Sequence, residues 1–239
     1  MYLMYGWRAR IGLITPMSDI AEHAFHIHAP EGVSFASTKI DFPCSVDLLD
    51  ARMEEAAALY KDSGCDLVVF GCTAGSYTNG IAWDQECIRK IESATGLPAI
   101  TASTAVLEAL RALGAKKVAV ITAHSEETNA AEKKFLEDNG FEVTNIQSME
   151  LTTVTLGGKR KLIGITKHAM YQNCRKMDLN GADVFLVSCM GLPSMEIVEE
   201  LEIFTGVPVV TSQQATLWSA LRHCRVGAKL SKLGKLFTL

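Results

Sequence analysis

Short apolar runs alternate with longer amphipathic stretches along this chain. Runs of strand length occur at "RIGLITP" (10–16), "CDLVVFG" (65–71), "LPAIT" (97–101), "KKVAVIT" (116–122), "FEVTNIQSM" (141–149), "ADVFLVS" (182–188) and "VPVVT" (207–211). Helical periodicity fills 45–64, 84–96, 103–115, 125–139, 166–180, 194–204 and 213–224. Strands separated by helices of this length imply βαβ units and a parallel sheet. Several runs are apolar at every position, as expected where both sheet faces are covered. The pattern assigns no element to 17–44.

The pattern also repeats. "RIGLITPMSD" aligns with "KVAVITAHSE", "GCDLVVFGCTAGS" with "GADVFLVSCMGLPS", and "TGLPAITASTAVL" with "TGVPVVTSQQATL", in the same order in both halves. Three ordered blocks sharing TGxPxxT point to two copies of a small doubly wound α/β unit, Rossmann-like and flavodoxin-like, with a cleft between them. The first unit spans 1–115 and takes back the C-terminal tail 226–239; the second spans 116–225.

Bulk properties narrow the function classes. The chain has 239 residues, 48% hydrophobic and 21% charged, which is ordinary globular composition with enough interior for a core. A net charge of −4 argues against nucleic-acid binding, and the basic "KLSKLGK" (229–235) reads as a solvated face. No signal peptide and no apolar stretch long enough to span a bilayer is present, so a cytoplasmic protein with no membrane partner is expected. The seven cysteines are odd in number and form no CxxC, which favours reduced thiols over a disulfide framework or a zinc site.

The repeat singles out two of those cysteines. Cys72 in "GCTAGS" and Cys189 in "SCMGLPS" each follow a parallel strand, where ligands of open α/β sheets bind. Facing each other across a cleft, two such thiols suit proton transfer between the faces of one carbon, or thiolate attack with the partner handling a proton. Each loop is built of small residues and runs toward a helix start, where backbone N–H groups can hold an anion. A lone cysteine at a strand end is commonly a small core residue; a repeat-related pair in such loops is better read as a site. Cys44, Cys65, Cys87, Cys174 and Cys224 have no repeat partner in such a loop and read as structural.

These residues resemble the Asp/Glu/hydantoin racemase superfamily, and within it the branch of maleate cis–trans isomerases and arylmalonate decarboxylases. "RIGLITP" is similar to that group's opening strand and substrate loop, "GCTAGS" and "SCMGLPS" to its cysteine loops, and "GVPVVTSQQATLWSALR" with "GKLF" to the decarboxylase side. The resemblance implies an enzyme without cofactor or metal, acting on a small carboxylic acid at the carbon next to the carboxylate. Cys72 is then the nucleophile or proton-abstracting thiolate and Cys189 the proton donor. Thr15, Pro16, Asp19, Thr73, Ala74, His124, Asn129, Met190 and Gly191 are the implied substrate-binding positions. Decarboxylases of the group keep only the second cysteine, so Cys72 favours the isomerase side. Asp19 and His124 stand where the isomerases carry asparagine and tyrosine; His124 can still bond a carboxylate and titrates near neutrality. Decarboxylation through Cys189, or racemisation of an amino acid or hydantoin, remain the alternatives.

Three smaller features complete the reading. His23, His26 and His28 lack a partner at a recognised metal-binding spacing and read as a solvated loop or helix edge. "LGGKRK" (156–161) lacks the P-loop pattern and reads as a loop that could cover the cleft. Apolar helices such as 103–115 leave room for the expected homo-oligomer.

Overall fold

The computed structural model describes residues 5–16, 20–41, 46–150, 153–156, 159–162 and 165–239. It contains two four-stranded parallel sheets. The first is built from β1 (Ala9–Pro16), β2 (Val33–Ile40), β3 (Leu67–Phe70) and β4 (Ala99–Thr101), in the order β2-β1-β3-β4. The second uses β5 (Lys117–Thr122), β6 (Glu142–Ser148), β9 (Val184–Ser188) and β10 (Val209–Thr211), in the order β10-β9-β5-β6. Matching β1, β2, β3 and β4 to β5, β6, β9 and β10 gives the same order in both, so the α/β fold class and its internal repeat are as expected. Between them, β7 (Thr153–Leu156) and β8 (Lys159–Leu162) pair antiparallel. Residues 156 and 159–161 therefore lie in strands, a correction to their reading as a loop.

The helices are α1 (Ile20–His28), α2 (Val46–Ala58), α3 (Thr73–Thr95), α4 (Ala102–Ala112), α5 (Glu126–Asp138), α6 (Lys167–Arg175), α7 (Val198–Thr205) and α8 (Ser212–His223). The TGxPxxT repeat has a local physical cause. In each copy the first threonine bonds back to a carbonyl of its own last helical turn: Thr95 Oγ1 to Ile91 at 2.8 Å and Thr205 Oγ1 to Leu201 at 2.7 Å. The glycine then ends that helix in the left-handed region, with φ 70° at Gly96 and 72° at Gly206. A three-residue strand follows, and its last threonine, Thr101 or Thr211, caps the next helix by accepting from Thr104 N or Gln214 N.

Burial holds the two sheets together. β3, β9 and β10 are buried at every position. One core cluster joins Ile11, Leu13, Leu67 and Val69 of the first sheet to Val118, Val120, Val184 and Leu186 of the second. The repeat-related helices α4 and α8 pack on each other. Glu108 of α4 accepts from Ser219 Oγ at 2.6 Å and lies 3.4 Å from His223 Nε2, both on α8.

Several expectations are corrected. Residues 17–44 contain a helix and a strand. β2 buries only Ile40 and therefore lacks the apolar run that marks a strand. His23, His26 and His28 lie on α1 with His23 and His26 exposed, in keeping with a solvated helix edge, and the ring of His26 packs edge-on against Phe35. α3 begins at Thr73 rather than near residue 84 and breaks its helical geometry at Gly80 (φ 82°, ψ 174°). The tail 226–239 touches both halves of the chain. Gln214 Nε2 donates to the Leu233 carbonyl at 2.6 Å and Lys235 N to Glu202 Oε2 at 2.9 Å, while Arg8 reaches the Gly227 carbonyl at 2.9 Å. Among the described residues no helix is long and apolar enough to cross a membrane.

Candidate active site

In a doubly wound sheet, neighbouring strands whose crossovers run to opposite sides leave a crevice at their carboxyl ends. Here that point falls between β1 and β3 in one sheet and between β5 and β9 in the other. All four strand ends meet at one cavity of about 230 Å3, lined by Thr15, Pro16, Ala21, Gly71, Cys72, Thr73, Ala74, His124, Cys189, Met190 and Gly191. Nine of the expected positions are thus brought together. Ala21 of α1 and Gly71 were not anticipated.

The two cysteines reach the cavity differently. Cys72 is the N-cap residue of α3 and is 4% exposed. The loop expected between cysteine and helix does not exist, and the first-turn residues Thr73 and Ala74 line the cavity directly. Gly71 has to be glycine because β1 runs against it. An added Cβ would sit 2.8 Å from Thr15 Cγ2 and 3.4 Å from the Ile14 carbonyl oxygen. Cys189 is only partly buried and adopts φ 155°, a region that side chains rarely occupy. Such strain persists where the surroundings over-determine it, and it concentrates at functional sites. Its N–H donates to Ser212 Oγ at 3.1 Å, and its sulfur accepts from Gly191 N at 3.3 Å.

His124 follows β5 and supplies a basic side chain to the cavity; among the described lining residues no lysine or arginine joins it. Its Nδ1 lies 3.2 Å from Glu132 Oε2 on α5, and Glu132 is completely buried. Burial works against a charge on His124. Its interactions with the Cys189 sulfur and with the Glu132 carboxylate outweigh it and raise the imidazole to about 10. The pairing with Glu132 thus favours the charged imidazole. Thr15, also on the cavity, accepts from Lys39 Nζ at 3.2 Å, and Lys39 is paired with Glu22 at 2.8 Å.

Asn129, expected to bind substrate, does not line the cavity. It accepts from Thr122 Oγ1 at 2.6 Å and donates to Ser148 Oγ at 2.9 Å, bracing the backbone beneath His124. Asp19 lies outside the described residues. The remaining described cysteines fit a structural role: burial pushes the thiols of Cys174 and Cys224 up to about 12 and about 11, and that of Cys87 higher still. Among the described residues no cluster of three or more His, Cys, Asp or Glu side chains is arranged to hold a metal ion.

Glu132 escaped the reading of the sequence, although a signal for it exists. The inward stripe of α5 reads Asn129, Glu132, Leu136, with polar residues where a core-facing stripe is ordinarily apolar.

Residues 31–237 match the family model described as arylmalonate decarboxylase. The chain belongs to the arylmalonate decarboxylase family. It is 31% identical over 199 residues to the arylmalonate decarboxylase of Bordetella bronchiseptica, an alignment covering 80% of this chain and 78% of that protein. It is 23% identical over 231 residues to the maleate isomerase of Geobacillus stearothermophilus, covering 93% and 87%. A cysteine-to-serine mutant of Nocardia farcinica maleate cis-trans isomerase, carrying a covalently bound succinylcysteine intermediate, shares the fold with a TM-score of 0.84 at 22% identity, over 96% of this chain and 98% of that one. Membership in this family makes the chain an enzyme of the isomerase and carboxy-lyase group.

Proposed function

We propose that this member of the family is a cofactor-independent, two-cysteine isomerase or racemase acting at the carbon next to a carboxylate, most like maleate isomerase. The observation that carries the proposal is the presence of Cys72 and Cys189 on one small cavity, one from each repeat. The cavity has room for a small carboxylic acid. The first-turn N–H groups of α3 and the charged His124 supply the attraction for its carboxylates.

For a cis-alkene diacid the steps balance as follows. The Cys72 thiolate adds to one alkene carbon, and the electron pair released onto the adjacent carbon takes the proton of the Cys189 thiol. The former double bond, now single, rotates. The Cys189 thiolate removes the proton it gave, the C–S bond breaks, and the trans-alkene leaves with the Cys72 thiolate and the Cys189 thiol restored. The same pair performs racemisation if Cys72 abstracts a proton instead of adding. The succinylcysteine of the Nocardia isomerase is an adduct of the kind this route requires.

A second reading, decarboxylation of a disubstituted malonate with Cys189 as proton donor, is favoured by the 31% identity to the Bordetella decarboxylase. Proton NMR in deuterated water separates the two, using a panel of maleate, aspartate, glutamate, hydantoins and arylmalonates. The proposal expects isomerisation or α-deuteration, lost in both Cys72→Ala and Cys189→Ala with the fold intact. Full activity in either variant defeats it. Carbon dioxide release that survives Cys72→Gly establishes the second reading instead.

A further inference from the structure

Beside His124 lies a buried acid that takes part in none of the steps above. Glu132 is completely buried, one of its oxygens has no hydrogen-bond partner among the described residues, and its ion-pair partner is His124. A buried carboxylate is costly to keep, and breaking such a pair is costlier still. Besides favouring the charged imidazole, the acid ties down Nδ1 and so fixes which ring nitrogen is left over.

The surroundings hold the imidazole in one place. His124 N donates to Thr122 Oγ1 at 3.1 Å, Thr122 Oγ1 donates to Asn129 Oδ1 at 2.6 Å, Asn129 Nδ2 donates to Ser148 Oγ at 2.9 Å, and Ser148 Oγ donates to the His124 carbonyl at 2.7 Å. Both backbone groups of His124 thus belong to one closed ring of hydrogen bonds. With Nδ1 on Glu132, the other ring nitrogen, Nε2, is left for the cavity that His124 and Cys189 both line. The groups facing the imidazole are Glu132 from α5, Cys189 from beyond β9 and Tyr77 from α3, whose ring centroid lies 6.4 Å away. Cys72 lines the same cavity. Burial first, and then the charge of Glu132, keep the Tyr77 phenol neutral, so it adds no charge of its own.

We propose that Cys189, His124 and Glu132 form a proton relay, in which His124 exchanges protons with the Cys189 sulfur and Glu132 is the positioning residue that fixes the imidazole for the task. When the Cys189 S–H bond breaks and the new C–H bond forms, Nε2–H faces the resulting thiolate and can return a proton to it. Glu132 keeps Nδ1–H bonded throughout, so the ring neither turns nor leaves the sulfur. In the reverse direction the Cys189 thiol first gives its proton back to Nε2, recharging the ring, and the thiolate so formed takes the carbon-bound proton. The relay rests on the reading of Cys189 as the acid/base thiol.

The test uses the whole chain and the near-isosteric Glu132→Gln variant, with folding checked by circular dichroism and melting. In protein labelled with 13C and 15N at histidine, with the His124 signals assigned by their loss in His124→Gln, the wild-type imidazole is expected to stay charged from pH 6 to 9. In Glu132→Gln it is expected to titrate inside that window. With whichever substrate the panel identifies, Glu132→Gln is expected to lower kcat on the order of 100-fold with little change in KM, and to move the alkaline limb of the rate profile to lower pH. A wild-type His124 that is neutral at pH 7.5 overturns the relay and needs no variant, and so does an unchanged titration in Glu132→Gln. The NMR result stands even if no substrate in the panel is turned over, so failure of the relay and failure of the proposed reaction are read separately.

Discussion

Removing Asp84 should loosen the cysteine-bearing end of α3, and the size of the effect follows from its bonds. Asp84 lies beyond the break at Gly80 and is completely buried. One of its oxygens accepts from Ser76 Oγ, on the first segment of α3, and the other accepts from Thr104 Oγ1 of α4 at 2.6 Å. Thr104 in turn takes a hydrogen bond from Thr101 Oγ1 at 3.1 Å. A single carboxylate therefore clamps the turn behind Cys72 to the rest of α3 and to α4. Hydrogen bonds to a charged group contribute about 1.5–3 kcal/mol each, so Asp84→Ala, which abandons two buried hydroxyls, is expected to cost about 3–5 kcal/mol. For a chain of this size that lowers Tm by roughly 10 °C. Asp84→Asn keeps the shape and one acceptor and should cost about 1–2 kcal/mol. Urea unfolding at constant m measures both. In a Cys189→Ala background, iodoacetamide labelling of Cys72 should quicken severalfold in Asp84→Ala. If Asp84→Ala unfolds within about 1 kcal/mol of its parent, or Cys72 stays equally shielded, the clamp does not hold this end of the helix.

Other consequences are as direct. Gly71→Ala should lower stability by about 1–3 kcal/mol in urea unfolding, because the new methyl meets Thr15 Cγ2 at 2.8 Å and Leu13 Cδ1 at 3.3 Å; an unchanged midpoint would show that β1 and β3 can part freely. His124 is held up at about 10 in the folded chain, against 6.5 when unfolded, so its stabilising effect is complete below pH 6.5 and is lost as pH rises toward 10. About 5 kcal/mol should disappear across that window in wild type and not in His124→Gln; parallel curves for the two would refute it. Cys87 and Cys174 are 1% exposed with raised thiols, so mass spectrometry should find them unmodified by iodoacetamide until the chain unfolds; early labelling of either would contradict their burial.

The strands were legible because a strand covered on both faces must be apolar throughout, and Leu67–Phe70 and Val184–Ser188 nearly are. The edge strand β2 was not, since a strand with one buried side chain leaves no such trace. The helix beginning at Thr73 was hidden by the small residues of "TAGSYTNG" and by the break at Gly80. His124 could be picked out from the sequence, but its use could not. The ion pair with Glu132 exists because α5 turns that carboxylate inward beneath the loop after β5.

By itself the sequence determined what local chemistry can specify: parallel α/β units, their duplication, the threonine-capped turns of TGxPxxT, and a cysteine after one strand in each half. The tertiary structure decided what depends on where side chains point after distant segments pack. It set Cys72 at the head of a helix, turned Asn129 away from the cavity into a brace, and buried Glu132 against His124. Periodicity reports which face of an element is buried, whereas a hydrogen bond or ion pair between elements needs the distance between those faces, and only the folded chain fixes that distance.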